Sequence, residues 1–217
     1  MNKNTAPEES LEVLRAGIAA LGLDDLPPEV PEALLAYAKL LRKWNAVYNL
    51  TAIRGEEKTL SHHLLDALAV LPWLEPDTPS LLDVGSGGGI PGLVLALARP
   101  RMAVTLIDSN GKKAAFLRQA AIELGLRNVR VQAARVEAFC PEERFPAIIS
   151  RAFADLAGFV LPTRHLLLPG GSWWAMKGLR PDAEIAALPQ GIEVAAFHPL
   201  KVPGVEAERC LLQLQER

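Results

Sequence analysis

An α/β fold with a mostly parallel sheet and an N-terminal helical extension is predicted by three observations. No strand signal occurs before residue 80. Beyond it, short apolar runs alternate regularly with helical patterns, as parallel strands joined by crossover helices require. The first of those runs, LLDV at residues 81–84, feeds a loop with glycines at alternate positions, Gly85, Gly87 and Gly89, and then a helix-compatible run, LVLALA. Strand, glycine loop and helix in that order build a nucleotide-cofactor site, because bare peptide turns sharply and lets a ligand lie close.

The chain has 217 residues, 50% of them apolar, enough for one domain of ordinary size with a large core. Its longest apolar runs are far shorter than a membrane span. The opening MNKNTAPEES lacks the apolar core of a secretory signal. A cytoplasmic protein with no membrane partner is expected. Cys140 and Cys210 form no CxxC pair and are expected to be buried thiols in a reducing compartment. The net charge of −2 argues against bulk attraction to nucleic acid, yet it hides an asymmetry. Residues 1–98 carry 7 basic and 13 acidic side chains, residues 99–151 carry 10 and 5, and residues 152–217 carry 6 and 7. The basic middle is either a solvated face or a phosphate-facing patch.

Leu11, Leu14, Ile18 and Leu21 have helical spacing, which predicts a helix over residues 10–22 with Ser10 as N-cap and Gly22 as stop. After Pro27, Pro28 and Pro31, a long helix is expected over residues 31–48 and a third over residues 56–71. Residues 1–78 thus read as a helical cap, and residues 79–217 as the sheet-bearing domain, packed with it as one unit. Strand LLDV precedes a helix over residues 92–98, and strand AVTLI ends at Asp108. A helix over residues 112–124 stops at Gly125; strands NVRVQA and AIIS follow, the latter closed by Arg151. A helix is expected over residues 155–167, then a turn at Pro169-Gly170-Gly171 into strand SWWAMK. The last two strands, near residues 192–197 and 209–214, have a short link and should pair antiparallel at one edge.

Two cofactors compete for the glycine loop. Gly87-x-Gly89-x-x-Gly92 fits a dinucleotide fingerprint, with Asp108 placed 19 residues after Gly89 to hold a ribose hydroxyl. Asp83, two residues before Gly85, argues otherwise, because a pyrophosphate gains nothing from a carboxylate beside it. Pro91 has no N–H to offer a phosphate at the helix start. S-adenosylmethionine carries an amino-acid moiety and no phosphate, and tolerates both features.

DVGSGGGIPG, LIDSNGKKAAFLRQ, ARVEAF and ISRAF, in that order and preceded by WNAVYNLTAI and HHLLD, resemble the RsmG/GidB family of bacterial small-subunit rRNA (guanine-N7) methyltransferases. The similarity runs from about Trp44 to Lys177. It implies a Rossmann-like, S-adenosyl-L-methionine-dependent methyltransferase with a seven-stranded sheet. The implied reaction methylates N7 of a guanine at position 527, in the 530 loop of 16S rRNA. The implied partner is 16S rRNA or the small ribosomal subunit, and the implied state a monomer. By position, Gly85 and Ile90 would line the methionine and sugar end of the donor. Val136 and Glu137 would flank its adenine, and Arg151 would close the site near the reacting methyl. Asp108 fits the ribose role. Two positions depart from the family: His62 replaces its usual Arg, and Ala67 its usual Ser.

Guanine N7 has a lone pair and no proton, so its methylation needs alignment and no general base. Other methylations leave marks: an Asn/Asp-Pro-Pro-aromatic motif after the fourth strand, or a cysteine nucleophile. ISRAF occupies the first place; Cys140 lies off the expected strand ends, and Cys210 in a late edge strand. Arg151 is the residue most expected to act, with a salt bridge to a helix as its alternative role. His63 and Asp66, three apart, share a helix face and either pair at the substrate mouth or serve as a cap or core pair. Asn45 and Asn49 either bond the base edge or cap the helix and the loop at Thr51. Lys112, Lys113 and Arg118 either meet rRNA phosphates or form a solvated face. Trp173 and Trp174 should face opposite sides of the sheet, while Trp44 and Trp73 hold the cap on it. His165 and His198 lack ligand-spaced partners, so no metal is expected. The rivals to this reading are an NAD(P)-dependent oxidoreductase and a non-catalytic rRNA-binding module.

Overall fold

Five parallel strands carry the crossover pattern: β1 (Ser80–Val84), β2 (Ala103–Ile107), β3 (Val129–Gln132), β4 (Phe145–Ser150) and β5 (Leu167–Lys177). β6 (Ile192–Pro199) and β7 (Cys210–Glu216) add antiparallel, in the sheet order β3-β2-β1-β4-β5-β7-β6. This computed structural model describes residues 5–151, 153 and 155–217; Ala152 of ISRAF and the opening MNKN lie outside the described residues. The order reverses between β1 and β4, and ligands of open α/β sheets sit at the carboxyl ends of the strands at such a switch point. The glycine loop follows β1 and Arg151 follows β4, so the fold alone sets the two face to face.

The N-terminal third is helical: α1 (Thr5–Ala20), α2 (Val30–Tyr48), then α3 (Glu56–Thr59), a π-helical segment (Leu60–Leu65) and α4 (Asp66–Leu68) in unbroken succession. Crossovers use α5 (Gly92–Ala98), α6 (Gly111–Glu123) and α7 (Leu156–Thr163), and a short α8 (Asp182–Ala186) precedes β6. Period-two alternation sorts the strand residues into two cores. Leu81, Ile149, Trp174 and Met176 join Leu34, Leu41 and Leu68 of the cap; Leu82, Ile148, Trp173 and Ala175 join Leu156 and Phe159 of α7. Adjacent Trp173 and Trp174 therefore serve opposite faces, and Trp173 Nε1 donates to Thr163 Oγ1 at 2.8 Å. The cap completes one face of the sheet rather than sitting beside it. Tyr37 of α2, fully buried, donates its hydroxyl to the Gly88 carbonyl at 2.6 Å and so ties the cap to the glycine loop.

Several sequence expectations need correction. Helix α1 begins at Thr5, so Ser10 caps nothing; its hydroxyl donates to Glu56 Oε1 at 2.6 Å. Pro169–Gly171 is not a turn before the fifth strand but lies within it, where pairing with β4 shifts between Phe145 and Ala147. The helix expected to reach residue 167 ends at Thr163 in a 3-10 turn, Arg164–Leu166. Cys140 is exposed, not buried, and Cys210, though buried, lies in an interior strand because β7 inserts between β5 and β6. Trp44 packs as expected, stacked on Tyr48 and tilted on Phe116, but Trp73 is 41% exposed and stacks on His198 of the edge strand. Helix α8 escaped notice because it has no buried position and hence no apolar periodicity.

Replacing Tyr37 with Phe leaves the buried Gly88 carbonyl without its donor. Tyr37→Phe is expected to cost about 1–3 kcal/mol, read by urea denaturation at unchanged m.

Candidate active site

Strand β1 delivers Asp83 to the carboxyl end of the sheet, where it is 1% exposed. Its Oδ2 accepts from the Gly92 N–H at 3.0 Å, and its Oδ1 has no hydrogen-bond partner among the described residues. Only glycine fits at 92: a Cβ there would lie 2.6 Å from Asp83 Oδ2 and 2.2 Å from Leu106 Cδ2. Burial pushes the Asp83 carboxyl up to about 7, against the pull of that amide. The start of α5 is thereby closed to phosphate. Pro91 has no N–H, Gly92 donates to Asp83, and Leu93 donates to the Gly89 carbonyl at 2.8 Å. A pyrophosphate would find these donors committed and a carboxylate behind them. A ligand whose nearest group is cationic or neutral meets neither obstacle.

Asp108, just beyond β2, braces the loop from the other side. Its Oδ2 accepts from Gly87 N–H at 2.9 Å and its Oδ1 from Asn110 N–H at 2.8 Å. Gly87 takes φ 55° to present that N–H, a left-handed conformation that favours glycine. Each carboxylate oxygen keeps a free lone-pair site for a ligand hydroxyl. Asn110 caps α6 by accepting from the backbone N–H of Lys112 and Lys113. Gly85 is exposed, and among the described residues a Cβ there would come no closer to another heavy atom than 3.7 Å, at Phe153. Ile90 is half-buried on the same loop. Val136 and Glu137 sit in a 3-10 turn after β3, the first buried and the second exposed. Gly85, Ile90, Asp108, Val136 and Glu137 all follow the carboxyl ends of β1, β2 or β3.

Arg151, one residue past β4, is held from the cap. Its Nη1 lies 3.3 Å from Asp66 Oδ2, and its Nη2 lies 3.1 Å from His63 Nδ1. His63 and Asp66 do share a face, yet they do not pair with each other; both grip Arg151. The ion pair to a helix, the alternative considered for Arg151, is thus present at the mouth of the site itself. Asp66, 2% exposed, also lies 3.2 Å from Arg209 Nε, one residue before β7, so one carboxylate serves two guanidinium groups. Burial pushes the Asp66 carboxyl up while Arg151 and Arg209 pull it down. His63 is pushed down to about 4, first by burial and then by the Arg151 cation. Beside Arg151 opens a cavity of about 240 Å³, walled by Asp66, Met176, Lys177, Leu200 and Arg209. Lys177 Nζ is paired to Glu184 Oε2 at 2.8 Å.

Asn45 and Asn49 act on backbone. Asn45, 6% exposed, accepts from Thr51 N–H at 2.9 Å, and Asn49 ends α2 in the left-handed region at φ 49°. Lys112 and Arg118 are exposed on α6 and Lys113 is half-buried there; Arg127, Arg130 and Arg135 are exposed in and beside the edge strand β3, and Arg144 is exposed just before β4. Sequence reasoning missed Tyr37, Thr51 and Arg209. Thr51 lies in WNAVYNLTAI but reads there as a loop position after a helix, Tyr37 reads as one apolar position of a helix, and Arg209 as a charge before a strand. No group of three or more potential metal ligands occurs among the described residues. No helix among them is long and apolar enough to cross a membrane.

A family model described as GidB, rRNA small subunit methyltransferase G, matches residues 31–212. The Ribosomal RNA small subunit methyltransferase G of Neisseria gonorrhoeae (strain NCCP11945) is 54% identical over 209 residues, 96% of this chain and 100% of its own length. Its namesake from Laribacter hongkongensis (strain HLHK9) is 54% identical over 94% of this chain and 97% of its own length. Among solved structures, the glycopeptide N-methyltransferase MtfA complexed with (S)-adenosyl-L-methionine matches with a TM-score of 0.59 at 15% identity, covering 71% of this chain and 94% of that one. TrmN from Thermus thermophilus matches with a TM-score of 0.52 at 23% identity, covering 73% of this chain and 53% of that one. At such identities the likeness is one of fold, the Rossmann-like fold of S-adenosylmethionine-dependent methyltransferases.

The raised Asp83 value has a sign. From the ordinary carboxylate range up to about pH 7 the folded chain keeps a proton that the unfolded chain has released, so stability falls as pH rises through that window and levels off above it. Asp83→Asn removes this slope. In urea denaturation the variant should gain on the parent between about pH 5 and about pH 8; an identical gap at both would contradict the assignment.

Proposed function

The chain belongs to the rRNA small subunit methyltransferase G family, and on that premise we propose that it transfers a methyl group from S-adenosyl-L-methionine to N7 of a guanine in the 530 loop of 16S rRNA. The observation that carries this reading is the closed start of α5, where the Gly92 amide and the buried Asp83 carboxylate refuse a pyrophosphate and leave the bare glycine loop to a donor without phosphate. The residues present fit such a donor. Asp108 sets a carboxyl group beside the loop, and residues 85–91 carry no basic side chain to oppose the donor's cationic amino and sulfonium groups. Gly85 and Ile90 would lie along the methionine and sugar, Asp108 would take a ribose hydroxyl, and Val136 and Glu137 would flank the adenine.

When bound, the donor supplies an electrophilic methyl on sulfur. The chain's part is orientation: the base must be held in line, and no proton has to leave N7. His63 supports this reading, because both of its ring nitrogens are engaged, with Arg151 and with Thr51 at 2.8 Å, leaving it no role as a free base. Arg151 faces the loop across the switch point, a cation whose remaining N–H groups can hold the target nucleotide beside the methyl. The exposed Lys112 and Arg118 of α6, with Arg130 and Arg135 in and after the edge strand β3, would meet rRNA phosphates. A target inside folded RNA must have its base exposed before transfer.

Incubating the protein and donor with 16S rRNA or small subunits from a strain lacking the modification, then mapping fragments by mass spectrometry, should find one added methyl on a guanine of the 530 loop. Tight NADH binding in calorimetry, with no response to S-adenosylmethionine, would overturn the reading. Arg151→Ala should keep the circular dichroism spectrum and lose about 10- to 100-fold in kcat/KM, as the loss of a charged hydrogen bond implies. Arg130→Gln should weaken rRNA binding and lower the slope of log K against log salt by about 1.

A further inference from the structure

We propose that His63 and Thr51 are positioning residues for Arg151, which they lock through one neutral tautomer of the imidazole; this rests on the role given to Arg151 above. A guanidinium can only donate hydrogen bonds. His63 Nδ1, 3.1 Å from Arg151 Nη2, must therefore present its lone pair, and the ring proton belongs on Nε2. Nε2–H then donates to Thr51 Oγ1 at 2.8 Å. A proton on Nδ1 would satisfy the His62 carbonyl, 3.1 Å away, but only by pressing two donors together at Arg151.

Thr51 is itself fixed. Its N–H donates to the buried Asn45 at 2.9 Å, and its hydroxyl oxygen accepts from Ile53 N–H at 3.1 Å. A continuous line of hydrogen bonds thus runs from α2, through the loop after it, to the end of β4. Asp66 Oδ2 lies 3.3 Å from the other terminal nitrogen, an ion pair without a hydrogen bond, so charge attraction restrains one tip of the fork and His63 orients the other. A core histidine that only filled space would need no such acceptor–donor division between its two nitrogens.

The π-helical segment supplies the geometry. It places His63, 3% exposed, and Asp66, three residues on, within reach of one guanidinium. π-helical turns often mark functional sites. The charged and titratable groups that face His63 are Arg151 past β4, His62 on its own turn, and Asp66 of α4 with Arg209, just before β7, behind it. Burial and the Arg151 cation keep the imidazole neutral across the physiological range, so the acceptor stays in place.

The test is rescue by shape. His63→Asn leaves an amide oxygen where Nδ1 was, whereas His63→Gln puts its amide near Nε2 and His63→Leu has neither. On the rRNA substrate, His63→Leu and His63→Gln should lose about 10- to 100-fold in kcat, and His63→Asn should stay within about threefold of the parent. Affinity for S-adenosylhomocysteine, read by calorimetry, should be unchanged in all three. Equal losses for Asn and Leu, or parent-level kcat in His63→Leu, would overturn the proposal. Should the buried variants fail to fold, the half-buried Thr51 gives a second reading: Thr51→Val should lose about tenfold in kcat and Thr51→Ser recover it. A Thr51→Val protein as active as the parent would also overturn it. A parent that methylates no rRNA would instead sink the function proposed above.

Discussion

A buried carboxylate against a glycine amide governs the centre of this molecule. Asp83 could be kept at the end of β1 only with Gly92 pressed against it, because any Cβ at that position would strike both Asp83 and Leu106. That contact fixes where α5 begins and hence how residues 85–91 must travel. From there the constraints run outward. Gly87 turns its amide to Asp108, which sets the end of β2, and Gly88 offers its carbonyl to Tyr37, which sets the height of α2. The chemistry of the loop follows from the same contact, since the donors that a phosphate would use are spent on the protein.

The second organising group is Asp66. It belongs to the cap, yet its two oxygens reach Arg151 after β4 and Arg209 before β7. A charge this deep is tolerable only when paired, and here it is paired twice. The cap, the middle of the sheet and its antiparallel end therefore meet at one side chain, beside the cavity. The helical third and the sheet-bearing part also share one apolar core, which leaves neither able to hide its own face from water.

The sheet was legible in the sequence because each strand is a short apolar run bounded by glycine, proline or an acid, and because strand–helix alternation admits few topologies. The glycine loop and Arg151 were legible for the same reason: both lie where a strand ends. What stayed hidden were contacts between distant positions whose local patterns look ordinary. Nothing near Arg209 distinguishes it from a solvated arginine. The π-helical turn has no propensity signal, and HHLLD reads as plain helix. Residue type alone puts Cys140 and Trp73 inside, but both are exposed, because burial in a connecting segment depends on what crosses over it and not on hydropathy. Ser10 looked like a cap because capping is a local rule, whereas its partner Glu56 is remote.

The place of β7 sets an order in time. β6 is synthesised first but bonds only to β7, so it has no neighbour until the last strand arrives. β5 likewise keeps an unpaired edge until then, a state that invites association with other chains. Arg209 comes with β7, which makes the Asp66 contact among the latest to form. Secondary structure in the cap and the glycine loop can exist while the chain is still growing; the finished mouth of the site cannot. Maturity of the site and closure of the sheet are one event.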